Sequence, residues 1–115
     1  MIEIIIKEFL ESKLSVPVLM EVPKNPVTSF VIIEKTGSSM DNHIPSSIIT
    51  IQSYASSLYG AAELNELVKD NMLDGLNGLA SLDQIANVTL NSDYNYTDTS
   101  EKRYRYQAVY DITHY

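Results

Sequence analysis

Apolar residues recur along the chain with two different periods, and the changes between them divide it into elements. Ile2, Ile5, Ile6, Phe9 and Leu10 fall at i, i+3, i+4, i+7 and i+8. That is one face of a 3.6-residue period and predicts an N-terminal helix ending near Lys13. Glu3, Lys7, Glu8 and Glu11 take the opposite face, and Ile4 interrupts the pattern. Val16 to Val22 then reads as a strand; Pro17 cannot donate a ladder hydrogen bond and puts it at an edge or a strand start. A turn at Pro23-Lys24-Asn25-Pro26 and an apolar run Phe30–Lys35 predict a hairpin between these two strands. A polar loop follows over 37–43, then a third strand over Ser47–Tyr54.

Helical spacing returns between Leu58 and Leu73. Leu58, Ala61, Ala62, Leu64, Val68 and Met72 share an apolar arc, and Glu63, Glu66, Asp70 and Asp74 lie opposite. Two residues break the rule: Asn65 falls inside the arc and Leu67 on the acidic face. Gly75 and Gly78 fit a helix stop. The last third alternates with period two. Ala86, Val88, Leu90, Tyr94 and Tyr96 form one series, and Tyr104, Tyr106, Ala108, Tyr110 and Ile112 the other. This predicts a long hairpin with its loop over 97–102, held in part by tyrosines facing each other across it. The expected fold is therefore α+β: a largely antiparallel, mixed sheet with two helices packed on it, in the order α-β-β-β-α-β-β. Residues 1–115 are expected to form a single domain.

Composition narrows the functional classes. With 44% hydrophobic residues the chain can build one core without staples, and with no cysteine it can form neither disulfides nor thiolate sites. No segment reaches the roughly 20 apolar residues of a membrane span, and Glu3 ahead of a short apolar run does not read as a secretory signal. The formal net charge is −7, and among the eight basic residues only Lys102, Arg103 and Arg105 cluster. Tight nucleic-acid binding through phosphates is not expected of such a chain.

No catalytic, cofactor-binding or metal-binding residue emerges, and an enzyme is not expected. A nucleophile needs a base beside it, and the two histidines, His43 and His114, adjoin no nucleophile motif. His114 reads as a hydrogen-bonded strand histidine, and Glu63, Glu66 and Asp70 as a solvated helix face. Asp93 to Asp98 opens like a calcium loop, but Asp98 stands where glycine is required and Tyr104 where the closing glutamate belongs. Lys35-Thr36-Gly37-Ser38-Ser39 holds phosphate-loop residue types in the wrong order. What stands out is tyrosine, with eight in the chain. Tyr94, Tyr96, Tyr104 and Tyr106 flank one loop, and Arg103 and Arg105 alternate with two of them toward the opposite face. Tyrosine and arginine are the common anchors of protein interfaces. These six residues and Leu67 are the candidate interaction positions.

The segments Phe30–Gly37, Ile51–Ala55, Ala61–Asn65, Leu90–Thr99 and Arg103–Ile112 carry a family likeness, most of it in Glu34-Lys35-Thr36-Gly37, Ile51-Gln52-Ser53-Tyr54-Ala55 and Arg105-Tyr106-Gln107-Ala108-Val109-Tyr110-Asp111-Ile112. Together they make nearly the whole chain resemble the small tail-terminator, or tail-completion, proteins of long-tailed bacteriophages and prophages. The resemblance implies a small α/β sandwich without a cofactor. It implies a homo-oligomeric ring, usually a hexamer, seated on the end of the tail tube. Such a ring stops polymerisation of the major tail-tube protein, presents a joint to the head connector or stopper, and lets DNA pass. Virion tail and, during assembly, host cytoplasm are the locations that follow. The alternatives are a head-completion or stopper protein of the same neck, a small ligand-binding domain, and a small enzyme working through Glu63, Glu66 and Asp70 or through His114.

Overall fold

Ile2, Ile6, Phe9 and Leu10 lie on one side of a helix and are all buried, so the first helical turns form around a face that must leave water. The computed structural model describes residues 2–22, 24, 28–41, 44–74, 76–97 and 104–115. In it α1 spans Ile2–Lys13, with Glu3 in its first turn, where a negative charge suits the helix dipole. Lys7 and Glu11 pair along its outer face. A second helix, α2, spans Leu58–Leu73. Its first turn is capped by Ser57, whose Oγ accepts from the Gly60 amide at 3.0 Å.

Five strands make one mixed sheet in the order β1-β2-β3-β5-β4. They are β1 (Val18–Leu19), β2 (Phe30–Asp41), β3 (Ile44–Ala55), β4 (Ile85–Asn95) and β5 (Tyr104–His114). Three of the four pairings are antiparallel, and only β1–β2 is parallel. The α+β class and the two helices agree with the expectation. The succession of elements agrees in part, because a 3-10 turn, Leu79–Ser81, lies between α2 and β4.

The N-terminal strand departs most from the sequence pattern. It shrinks to two residues and runs parallel to β2, so the expected first hairpin does not form. Pro17 has no N–H and serves only as an acceptor, taking the Val31 amide at 2.9 Å. Met20 and Val22 are left 42% and 41% exposed. The turn residues Pro23, Asn25 and Pro26 lie outside the described residues. The expected polar loop over 37–43 is, up to Asp41, a continuation of β2. Ser38 and Ser39 pair with Ser47 and Ser46 of β3, so the polar run meets its backbone requirement by extending the ladder. Asn42 and His43 lie outside the described residues, as does Gly75.

Both helices cover the same sheet face. Their buried residues meet Val31 and Ile33 of β2, Ile49 and Ile51 of β3, and Ala108, Tyr110 and Ile112 of β5 in one core. Among the described residues no helix is long and apolar enough to cross a membrane.

Candidate assembly surfaces

The strand residues between those core positions point to the other face, which neither helix covers. Phe30, Ile32 and Tyr54 form a small apolar cluster there, with Leu19 packed against it. The Phe30 and Tyr54 rings stack with centroids 4.5 Å apart. Beside Tyr54 in register stands Arg105 of β5. Its guanidinium lies 4.4 Å from the centroid of the Tyr96 ring and 5.7 Å from that of Tyr54, within the range of cation–π attraction. It donates from Nη1 to Tyr54 Oη at 2.8 Å and from Nε to the Tyr96 carbonyl at 2.7 Å. One row along, Gln52 Nε2 donates to Gln107 Oε1 at 2.8 Å, and Gln107 Nε2 donates to Tyr94 Oη. Tyr94 and Tyr96 meet edge to face and remain 41% and 45% exposed. The result is a polar and aromatic surface whose side chains are fixed by mutual bonds. Such an arrangement is suited to docking, because little rotamer freedom is left to lose.

The structure divides the candidate residues among separate surfaces. In β4 the register shifts between Leu90 and Ser92, leaving Asn91 as an extra residue. Leu90 therefore pairs with Tyr110 over the core, whereas Tyr94 pairs with Gln107 on the helix-free face. A bulge reverses alternation in this way, so the single series through Val88, Leu90, Tyr94 and Tyr96 is in fact two. Tyr94, Tyr96 and Arg105 share the helix-free face. Tyr104 and Tyr106, half-buried, alternate to the helix side, where Tyr106 stands opposite Asn95 and Ser53. The tyrosines expected to face one another across β4 and β5 do not. Leu67 is on α2, 46% exposed, beside a shallow groove with Val16, Ala55 and Leu64. Arg103 and most of the expected 97–102 loop lie outside the described residues.

On the helix side a polar tie joins α2 to β4. Asn65, 1% exposed, donates from Nδ2 to Asp93 Oδ1 at 2.6 Å. Lys69 donates to the other Asp93 oxygen at 2.5 Å and pairs with Glu66 at 2.7 Å. The hydrogen bond to Asp93, and then that to Glu66, raise the Lys69 ammonium above its ordinary pKa of 10.5. Asn65 thus departs from the apolar pattern because it is an internal anchor. His114 is bonded as a strand histidine would be, with Nε2 2.8 Å from Ser47 Oγ. Among the described residues no group of three or more histidine or acidic side chains is placed to hold a metal ion.

No protein-family model matches the chain. No curated protein matches it in sequence either. The surfaces therefore have to be read from their own chemistry. Sequence reasoning missed Tyr54, Gln52 and Gln107, which hold the aromatic row together. Their signal was present: Arg105, Gln107 and Asp111 alternate with Ala108, Tyr110 and Ile112, and polar residues opposite a buried series mark an uncovered sheet face. Asp93 as the partner of Asn65 had no local signal, since the two lie 28 positions apart.

Tyr110 offers a test of the core beneath this tie. Its ring is fully buried, and its hydroxyl has no hydrogen-bond partner among the described residues. Burial, reinforced by the charges of Asp93 and Glu66, raises its pKa above the ordinary 10.0. The unfolded chain then loses this proton first, so stability is full below about pH 10 and falls above it. Lys69 acts in the same direction: its contribution is present below 10.5 and lost as pH rises through its raised value. Tyr110→Phe is expected to leave stability at about pH 7 unchanged or raised by up to about 1 kcal/mol, and to flatten part of the alkaline decline. Urea unfolding at about pH 7 and about pH 11 checks this; a loss of more than about 1 kcal/mol at the lower pH would mean the hydroxyl is bonded.

Proposed function

We propose that this protein is a structural component of a phage tail, a terminator that caps the tail tube as a ring, ends tail polymerisation and provides the joint to the head connector. The observation that carries the reading is the helix-free sheet face. It presents exposed Tyr94 and Tyr96 with Arg105 already locked between aromatic rings, an interface surface in chemistry and geometry. The segments that resemble tail terminators support it as well. Glu34–Gly37, Ile51–Ala55 and Arg105–Ile112 lie on β2, β3 and β5, which are adjacent strands, so the likeness falls on one connected part of the sheet. A ring requires two different surfaces on each copy that meet head to tail and close. Among the described residues both edges of the sheet lack an outer strand over part of their length and offer two such surfaces.

The test is the light-scattering mass of the purified protein, alone and mixed with the major tail-tube protein. A closed oligomer, either alone or on the tube, is expected. A monomer that stays monomeric and ignores the tube would overturn the reading.

A further inference from the structure

Among the described residues two stretches of strand edge have no strand beside them. Among the described residues β1 pairs with only Val31 and Ile32 of β2, so no strand lies beyond β2 from Ile33 to Asp41. On the opposite side of the sheet, β4 has no outer neighbour among the described residues. β4 contains no proline, lysine or arginine, the residues that commonly blunt an edge, although it carries two bulges. Strand directions alternate through β2, β3, β5 and β4, so a second sheet continued in the same sense would lay its β2 antiparallel to β4.

The register that carries the sheet's own rows straight on keeps helix-side residues beside helix-side residues. Lys35 aligns with Ile49, Tyr110 and Leu90, and Ser39 aligns with Ser46, Thr113 and Asn87. Val31 and Ile32, where β1 sits, align with Asn95 and Tyr94. The β1 strand of an incoming copy would thus abut the end of β4, leaving Ile85–Asp93 to face Ile33–Asp41. Charge fits the same register. Leu90 lines a groove of about 420 Å³ between α2 and β4, with Glu66, Asp70 and Asp74 on its wall. Lys69 in that groove is already engaged by Glu66 and Asp93, whereas Asp70 and Asp74 make no ion pair among the described residues. Lys35 is exposed on the β2 edge, on the helix side of its strand, and in this register it comes to the mouth of the groove. The twofold alternative, β4 against β4, would set two acidic grooves face to face.

We infer that the free edge of β4 binds the free edge of β2 from a second copy of this chain, as an antiparallel pair with Lys35 of the incoming copy over the acidic groove. The inference rests on the ring reading and specifies the joint. The contact is head to tail, because it uses different edges of each copy, and it extends the sheet from one copy to the next.

The chain has no cysteine, so single cysteines report the joint cleanly. Ser39→Cys and Asn87→Cys are polar, exposed positions that share a row. Directly paired strand residues bring Cβ atoms about 4.5–5.5 Å apart, close enough for a bridge to form with a small shift. Mixed under mild oxidation, the two variants are expected to give the mixed disulfide dimer, and the double variant a ladder that ends at the ring. Lys35→Glu is expected to weaken assembly about tenfold, with recovery when it is combined with Asp70→Lys. Cross-linking of Asn87→Cys to itself would overturn the inference in favour of a twofold pair. A ring seen by light scattering without the mixed disulfide, and insensitive to Lys35→Glu, would overturn this joint and leave the tail-capping reading standing. Absence of any oligomer, alone or with tail-tube protein, would overturn both.

Discussion

Ile51→Ala is expected to cost about 3–4 kcal/mol, a large share of the stability of a domain of this size. Ile51 lies on the third of five strands in the sheet, is fully buried, and stands in register with Ile33 on one side and Ala108 on the other. Truncation removes three carbons from the middle of the core formed by both helices and the sheet. The cross-strand neighbours, Ile33 and Ala108, sit on paired strands and can close on the space only if the ladder moves, so most of the cavity should remain. Ile48→Ala, three residues away on the helix-free face and 39% exposed, is the matched control and should cost less than about 1 kcal/mol. Urea denaturation of both variants checks the contrast. A cost below about 1.5 kcal/mol for Ile51→Ala would show that the core repacks around the site.

The second large effect is expected at Asp93. Asp93→Ala takes the acceptor from Asn65, which is buried, and the nearer counter-ion from Lys69, whose side chain keeps only 15% of its surface exposed. The cost is that of a stranded buried amide together with a weakened ion pair, about 2–3 kcal/mol. Asp93→Asn keeps an oxygen for Asn65 and loses the charge, and should cost about half as much. The decisive comparison is the double variant with Asn65→Leu. Removing both partners leaves no stranded amide, so the double variant should be more stable than the two single costs would add up to. Strict additivity in a urea-unfolding cycle would mean that Asn65 and Asp93 do not act as a pair.

Much of the architecture can be read from periodicity where that periodicity is unbroken. α2 runs from Leu58 to Leu73 as its apolar arc predicts, since Ala61, Leu64, Val68 and Met72 are the residues it buries. β5 alternates as predicted from Gln107 to Thr113, with Ala108, Tyr110 and Ile112 inward. The readings that failed did so where a backbone event interrupts the count. The register shift at Thr36 and the serine pairs beyond it turn an apparently polar loop into strand, because cross-strand pairing satisfies the backbone of residues with weak strand preference. Pro17 and the segment after it made a hairpin look natural, and the parallel pairing of Val18 and Leu19 depends on β2 lying alongside, which local pattern does not encode. Of the candidate contact residues, the grouping of Tyr94, Tyr96 and Arg105 was partly visible as an aromatic and basic cluster. Its division from Tyr104 and Tyr106 was not, because it hinges on one bulged asparagine.

That asparagine ties the inside of the molecule to its outside. Asp93 faces α2 and Tyr94 faces away from it only because Asn91 adds one residue to β4 relative to β5. Removing Asn91 would leave Ser92 opposite Val109 and Asp93 opposite Ala108, so both faces would survive its loss, whereas drawing Asn91 into the ladder would turn every side chain beyond it to the other face, burying one tyrosine and evicting the aspartate. The extra residue is therefore expendable, and what the two faces require is that it stay out of the ladder. Lineages that lose it, or that vary the exposed tyrosines one at a time, would keep both surfaces, whereas any that draw it into the pairing must rebuild the inner tie and the outer surface together.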